Sequence, residues 1–329
     1  MRPPLEPIDV VPRVWPSAAP MTPTVLVYSS NQRCHRLHHD HLVRRALAGN
    51  RRILFVAMAE TAQNGDEMVR QVQSWESFRW YFDQFRGQGL EASPFYWSSG
   101  LGQGDVDLFW KLLWESEVVV LGGGGSANGM GRFVDLGARF TGDPGKFAKV
   151  LHERQARGML TAGYSAGADQ LCSYLFRRTE NLPCDAFGLL RDTMISLHHE
   201  LAFRESLREK AQRVPDVMLF GVPNDAGLEG TVGSTPAGNR FQMIDFIIDN
   251  SWDRPEDQWH IRTRQGALID HYYPDGRLWA FRDGHALLRI TSQDRRYDEA
   301  WIAADGRIFH YGSQQPAPVG SFGEIIAGH

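Results

Sequence analysis

The stretch Gly158-Met-Leu-Thr-Ala-Gly-Tyr-Ser165-Ala-Gly-Ala168 decides how this chain is expected to fold. Residues 159–162 are apolar enough to end a buried parallel strand, and a helical pattern follows over residues 169–176. Between them lies Gly163-Tyr-Ser-Ala-Gly167, a G-x-S-x-G pentapeptide. In a strand–turn–helix unit this pentapeptide holds its serine in a strained conformation, with the hydroxyl exposed above the sheet. We therefore predict that Ser165 is a nucleophile; the alternative is a glycine-lined turn with an incidental serine.

Strand and helix patterns alternate around this stretch. Apolar strands are predicted at residues 24–28, 52–58, 90–97, 117–121, 192–197 and 217–221. Helices are predicted at residues 38–48, 66–87, 105–115, 145–155 and 203–212, and the residues after the glycine turn at 122–125 are predicted to form a loop. Continuous apolar strands that alternate with helices indicate a parallel sheet covered on both faces. The predicted fold class is therefore α/β, a three-layer α/β/α sandwich.

The two ends of the chain differ from this pattern. Residues 1–22 contain six prolines and no periodicity, which predicts an irregular N-terminal arm. Residues 23–239 form the predicted catalytic domain. Short β-like pieces separated by turn signals follow, which predicts a β-rich extension over residues 240–329 that packs on the main domain. This extension could be a small added sheet or the outer layer of the main domain.

The composition limits the class of protein. A net charge of −4 over 329 residues argues against a general nucleic-acid binder or an anionic-membrane binder. No apolar run reaches membrane-spanning length, the N-terminus lacks a signal-peptide pattern, and the three cysteines have no metal-ligand spacing. We expect a cytoplasmic monomer or homodimer that acts on a small peptide and needs no cofactor.

Histidines cluster in Cys34-His-Arg-Leu-His-His-Asp-His41. On a helix, His35 with His39 and His38 with His41 would share a face, a spacing that metal ligands can use. A substrate contact and a plain helix start are the alternatives, and we expect no metal.

A serine nucleophile needs a general base and donors for the oxyanion. The backbone N–H of Ala166 directly follows the nucleophile. The turn Gly122-Gly-Gly-Gly125 follows a parallel strand, so it is expected at the same edge of the sheet as Ser165. No Gly-Lys-Ser/Thr follows this turn, which disfavours a P-loop. His198 and His199 end the next predicted strand, and adjacent strand residues point to opposite faces, so one of them is the candidate base.

Six motifs occur in a fixed order along residues 24–228. They are Leu121-Gly-Gly-Gly-Gly125, Gly163-Tyr-Ser-Ala-Gly-Ala168, Thr179-Glu-Asn-Leu-Pro183, Phe187-Gly-Leu-Leu190, Ile195-Ser-Leu-His198 and Phe220-Gly-Val-Pro223. In this order they resemble the motifs of the peptidase E and cyanophycinase family of serine peptidases. The resemblance implies a fold like that of class I glutamine amidotransferases, with serine in place of their cysteine.

The resemblance also implies roles for individual residues. It implies Ser165 as nucleophile, His198 as base, and the N–H groups of Gly124 and Ala166 as oxyanion donors. It places an acidic residue in the loop after the serine helix. Glu180 is favoured there because a carboxylate stabilises the imidazolium, and Asn181 and Asp185 are the alternatives.

The implied substrate is a short peptide or isopeptide with an aspartyl residue, α- or β-linked. Gly123, Asp169 and Arg204 are the candidate substrate contacts. The resemblance also implies an arginine that meets the free carboxylate, for which Arg177, Arg178 and Arg204 are the candidates. Asp169 could instead cap its helix. Two other functions stay open: an inactive protein of this fold that binds a ligand or partner, and an acyl or amide transferase that uses the same serine.

Overall fold

The computed structural model describes residues 22–30, 34–61, 66–176, 184–235, 237–249, 268–294, 296–310 and 317–319. All but the last residue of the predicted N-terminal arm lies outside these ranges. The candidate third triad residue Glu180 and its neighbour Asn181 also lie outside the described residues.

The helices begin with a π-helical segment at Leu37–Val43, which continues directly into the first α-helix. The α-helices are α1 (Arg44–Ala48), α2 (Glu67–Asp83), α3 (Gln103–Glu115), α4 (Ser126–Thr141), α5 (Lys146–Ala156), α6 (Ala166–Leu171) and α7 (Arg204–Arg213). The strands are β1 (Val25–Tyr28), β2 (Arg52–Val56), β3 (Glu91–Phe95), β4 (Val118–Leu121), β5 (Leu160–Tyr164), β6 (Tyr174–Leu175), β7 (Cys184–Asp185), β8 (Thr193–Leu197), β9 (Met218–Val222), β10 (Ala226–Ser234), β11 (Arg240–Ile248), β12 (Ile269–Tyr272), β13 (Leu278–Phe281), β14 (Ala286–Thr291), β15 (Tyr297–Ile302), β16 (Ile308–His310) and β17 (Ala317–Val319).

One large sheet forms the centre of the fold. Its strand order is β17-β16-β15-β14-β11-β10-β1-β5-β4-β2-β3. The five strands from β1 to β3 in this order are parallel, whereas β10 and the strands beyond it are antiparallel. The α/β class and a large sheet with parallel strands are thus confirmed, and β10 and the strands beyond it extend this sheet in antiparallel order. Short connections such as the one between β10 and β11 can join antiparallel neighbours only, because a parallel pair needs a long crossover.

Both faces of the parallel half are buried. Successive side chains of β1 point to opposite faces, and all four have no exposed surface. Val25 and Val27 belong to a core cluster with residues of α3, α4 and α5, whereas Leu26 and Tyr28 belong to a second cluster with residues of α1 and α2. Helices therefore cover the sheet on both sides, which explains why its strands read as continuous apolar runs.

A second sheet carries the histidine strand. Its order is β13-β12-β9-β8, with β8 and β9 parallel and the other pairs antiparallel. The C-terminal strands are divided between the two sheets. β11 and β14 to β17 extend the main sheet, while β12 and β13 complete the second one. Where the catalytic domain ends stays a prediction.

Several elements depart from the sequence prediction. Residues 126–141 form α4 instead of a loop, and β10 was not predicted. Both segments are rich in glycine, which weakens the helix and strand signals. In α4, Gly129 allows close packing, because a Cβ there would meet the side chain of Gln170. The helix after the serine begins at Ala166 rather than at Asp169, so the turn has no intervening loop.

None of the helices within the described ranges is long and apolar enough to cross a bilayer.

Candidate active site

Ser165 lies at a sharp turn between β5 and α6. Its backbone has φ 50° and ψ −121°, a conformation that a residue with a side chain rarely adopts. Its N–H donates to the carbonyl of Tyr28, 3.0 Å away, and its own carbonyl accepts from Asp169 N–H. The strain is therefore held by hydrogen bonds on both sides of the residue. The first turn of α6 follows at once, so its unpaired N–H groups lie next to the hydroxyl.

The two glycines of the pentapeptide are sterically required. A Cβ on Gly163 would collide with the backbone carbonyl of Gly167, and a Cβ on Gly167 would collide with the carbonyl of Leu121. The turn thus brings helix α6 into backbone contact with β4 as well as β5. A side chain at either position would push the helix away and open the turn.

His198 is the residue that meets the serine hydroxyl. Its Nε2 lies 3.5 Å from Ser165 Oγ, and its backbone is also in the left-handed region, with φ 49°. The separation exceeds the 2.7–3.2 Å range of ordinary hydrogen bonds, as is common for catalytic pairs without substrate.

The end of β1 ties the two residues together. Tyr28 carbonyl accepts from Ser165 N–H, and Ser29 Oγ accepts from the backbone N–H of His198 at 2.6 Å. Ser29 itself donates its N–H to Ala226 at the start of β10. One central strand end therefore positions both the serine strand β5 and the histidine, although they belong to different sheets. Sequence reasoning missed Ser29, which directly follows the predicted strand at residues 24–28.

The other ring nitrogen of His198 meets an amide. Its Nδ1 lies 2.6 Å from Oδ1 of Asn224, in the turn between β9 and β10. With Nδ1–H donating to this oxygen, Nε2 keeps its lone pair toward Ser165, which is the tautomer that a general base requires. Asn224 was not among the predicted site residues. The signal was present in Val222-Pro-Asn-Asp-Ala226, polar residues directly after a strand end.

His199 points away from the serine. It is buried, and its Nε2 lies 3.1 Å from Oδ2 of Asp270 on β12. Arg204 forms a bidentate pair with the same carboxylate, at 2.6 and 2.9 Å. Burial by itself raises the pKa of Asp270, but the hydrogen bonds from His199 and Arg204 outweigh it and hold the pKa below its usual range. Of the two histidines considered as base, His198 is thus the one beside Ser165.

Two side chains that were predicted to contact substrate are bound to other groups of the protein. Arg204 is engaged by Asp270, as described. Asp169 is buried in α6 and accepts the backbone N–H of Phe176 at 2.8 Å, so it closes the loop after its helix. These contacts account for both side chains without a substrate.

The glycine turn after β4 lies against the serine. A Cβ on Gly123 would lie 3.4 Å from Ser165 Cβ, and one on Gly124, at φ 126°, would collide with the Ala59 carbonyl. The N–H groups of Gly122 and Gly125 donate to carbonyls of Val56 and Ala59. In the described part of the chain, Gly124 N–H makes no hydrogen bond.

Gly124 N–H and the first N–H of α6, that of Ala166, stay the candidate oxyanion donors. They come from the ends of neighbouring parallel strands, β4 and β5.

The candidate acids have different positions. Glu180 and Asn181 lie outside the described residues. Asp185 is exposed on β7. The described partner of His198 Nδ1 is therefore the Asn224 amide.

The histidine cluster is dispersed by the π-helical segment. His38 is buried against the rings of Tyr28, Phe78 and Tyr81, and burial lowers its pKa to about 3. His41 pairs with Glu229 instead. In the chain as described, no three His, Cys, Asp or Glu side chains are grouped as a metal site would require.

No family model matches this chain, and no curated protein matches it. Among solved structures, it is similar to the KaiC-like protein PH0186 from the hyperthermophilic archaeon Pyrococcus horikoshii OT3. The similarity covers 80% of this chain and 91% of that chain, at 11% identity and a TM-score of 0.25. A likeness this weak carries no argument about fold or activity.

The expected membership in the peptidase E and cyanophycinase family is therefore corrected. No model of that or any other family matches this chain. Glycine, serine and alanine recur in strand–turn–helix units because tight turns demand small residues, so their order did not establish kinship. The roles considered below rest on the geometry alone.

Proposed function

We propose that the protein is a serine hydrolase that acts through an acyl-enzyme on Ser165. The observation that carries this proposal is the strained serine whose Oγ lies 3.5 Å from His198 Nε2. A strained non-glycine residue that is held by its surroundings and aimed at a base is typical of a reactive centre.

The proposed reaction has two halves. Ser165 Oγ attacks the substrate carbonyl carbon while His198 Nε2 takes the hydroxyl proton, and the N–H groups of Gly124 and Ala166 bind the oxyanion. The C–N or C–O bond then breaks, and His198 returns the proton to the leaving group. Water, deprotonated by the same imidazole, attacks the ester carbonyl and releases the acid and the free serine.

The substrate that we propose is a short peptide or isopeptide. A preference for aspartyl residues was implied only by the family resemblance, so it loses that support and becomes one arm of the test. The finer fold assignment, to the class I glutamine amidotransferase type, is likewise a proposal. It is supported by the strand–serine–helix unit next to a glycine turn at the end of a neighbouring parallel strand.

Intact-protein mass after treatment with a fluorophosphonate tests the nucleophile. We expect one adduct on the wild type and on the surface control Ser77→Ala, and none on Ser165→Ala. His198→Ala should slow labelling by about 100-fold or more, because general base catalysis typically contributes that much. Loss of labelling in His198→Ala but not in Ser165→Ala would contradict the proposal. So would an unlabelled, folded wild type.

A substrate panel follows once labelling is seen. Dipeptides with α- and β-linked aspartate are compared with matched alanine dipeptides and with aryl esters. Turnover of alanine dipeptides at equal rates would contradict the aspartyl preference but not the assignment as a hydrolase.

One observation favours a second candidate, a weakly active protein that binds a ligand. Asn224 supplies an amide where a carboxylate would stabilise the imidazolium. This candidate predicts slow labelling of Ser165 and tight binding of a compound that is not turned over. Adding an amine acceptor to the assay distinguishes a transferase, because turnover would then exceed the turnover seen with water as the only acceptor.

A further inference from the structure

A cavity of about 360 Å³ lies far from Ser165, at the start of β8. Its floor is one face of the antiparallel half of the main sheet. In register across β10, β11 and β14, the floor residues are Ser234, Arg240 and Thr291 in one row and Val232, Gln242 and Arg289 in the next. Its walls come from α5, β9 and Arg191. The cavity is therefore built by regular elements of both sheets.

The position separates this cavity from the candidate active site. Arg191 precedes His198 by seven residues, with β8 between them, which corresponds to at most roughly 23 Å at about 3.3 Å per residue. Along β10, Ala226 lies beside the active site and Ser234 lines the cavity, a span of roughly 26 Å by the same rise. The two sites are thus at opposite ends of the same strands.

Two arginines of the cavity have no hydrogen-bond or ion-pair partner among the described residues. Within the described ranges, the guanidinium groups of Arg191 and Arg240 make no hydrogen bond or ion pair. Burial lowers the pKa of Arg191, and the nearby charge of Arg240 lowers it further, while Asp192 opposes both. Two like charges therefore face one cavity that contains a single unpaired carboxylate, that of Asp192, in a chain of net charge −4.

The third arginine does not add to this charge. Arg289 pairs with Glu299 at 2.6 Å, and both side chains are buried. It also donates to the carbonyl of Asp216. It therefore completes the wall of the cavity and leaves Arg191 and Arg240 as the available donors.

The backbone of Arg191 is held rigidly. The side chain of Gln242 accepts its N–H at 2.8 Å and donates to its carbonyl at 3.0 Å. Gln242 lies two residues from Arg240 on β11, so both face the same side of the sheet. The two guanidinium groups are thus presented by one connected frame, which is the support that a binding site needs.

We propose that this cavity binds a small organic phosphate monoester. A phosphate monoester presents three terminal oxygens and can accept hydrogen bonds from both guanidinium groups, whereas a carboxylate has only two oxygens to share between them. The hydroxyls of Ser234 and Thr291 add donors, and Met218 and Val232 supply apolar surface for the organic part. The volume falls within the range of small-molecule sites.

Isothermal titration of the full chain with phenyl phosphate at low salt tests the proposal. Arg191→Gln and Arg240→Gln should each weaken binding by about tenfold, and the double variant should abolish it. Arg240→Lys should fall between, because it keeps the charge but loses the fork. The control is Arg296→Gln, which removes the same charge from an exposed side chain and should bind like the wild type.

Benzoate and inorganic phosphate are the comparison probes. Benzoate should bind more weakly than phenyl phosphate, and inorganic phosphate should bind with an affinity between the two. Equal affinity for benzoate would overturn the phosphate class, and tighter binding of inorganic phosphate would overturn the organic part. Equal binding by the double variant, or no binding by the wild type, would overturn the site. The proposal is independent of hydrolase activity, because none of its readouts measures turnover.

Discussion

Nδ1 of His198 lies 2.6 Å from Oδ1 of Asn224, so the imidazole beside Ser165 is oriented by an amide. An amide fixes the tautomer of the ring as a carboxylate does, but it supplies no charge to the imidazolium that forms in the transition state. We therefore expect a site whose side chains are correctly oriented but whose reaction is slow.

Substitution of Asn224 should separate orientation from charge. Asn224→Ala removes one hydrogen bond of about 1.4 kcal/mol and should slow fluorophosphonate labelling of Ser165 by roughly tenfold. Asn224→Asp keeps the orientation and adds the charge, so labelling at neutral pH should become faster than in the wild type. Labelling rates of both variants, with unfolding curves to confirm the fold, provide the measurement. An unchanged rate in Asn224→Ala would show that the amide does not position the ring.

The glycine turn makes a steric prediction. Gly167→Ala places a Cβ against the carbonyl of Leu121, so we expect a loss of roughly 1–3 kcal/mol in the free energy of unfolding and loss of labelling. Gly104→Ala in α3 is the matched control, because a Cβ there meets nothing within 4 Å. That variant should be stabilised by about 0.5–1 kcal/mol. Equal stability of the two variants in urea titrations would contradict the packing described for α6.

The carboxylate of Asp270 should contribute more to the free energy of unfolding than an exposed carboxylate does. Asp270→Asn removes the charge that His199 and Arg204 share, and the free energy of unfolding should fall by about 2–4 kcal/mol at pH 7. Because the Arg204 side chain is 28% exposed, we expect a value in the lower part of that range. Asp275→Asn, which breaks an exposed pair with Arg277, is the control and should cost less than about 1 kcal/mol.

The Asp270 effect should depend on pH with a definite sign. Because its folded pKa lies below the ordinary value of 3.8, its stabilisation is present above pH 3.8 and is lost as the pH falls through the folded pKa. The difference between the wild type and Asp270→Asn should therefore shrink in acid. A difference that grows below pH 3.8 would be inconsistent with a lowered pKa.

Buried His38 should make the protein sensitive to acid. Its pKa is about 3 in the folded state, against 6.5 for an exposed histidine. Between these values only the unfolded chain binds the proton, so stability falls by at most about 1.4 kcal/mol per pH unit as the pH decreases. His38→Leu should keep its stability at pH 7, since Nε2 has no hydrogen-bond partner among the described atoms, and should lose less stability in acid. The exposed His39→Gln control should titrate like the wild type.

Much of the fold could be predicted from periodicity. The runs around β1, β2, β4 and β5 are apolar on both faces, and this pattern requires a covered sheet. The segments that were missed, α4 and β10, are those where glycine removes the side chains that carry the pattern. Gly230 in β10 illustrates the reason, because a Cβ there would collide with Leu190. Its identity is set by a neighbour 40 positions earlier in the chain, and no local pattern contains that information.

The sequence by itself determined the turn at Ser165. The small residues on both sides leave the backbone few other conformations, and a strand and a helix must meet there. Only the tertiary structure decided what the serine faces. His198 lies 33 residues beyond the serine in the chain, and Asn224 lies 26 residues beyond His198. They meet the serine because the ends of β1, β5, β8 and β9 converge. Adjacent residues on a strand point to opposite faces. The packing of the second sheet therefore decided that His198 faces the serine and His199 faces Asp270.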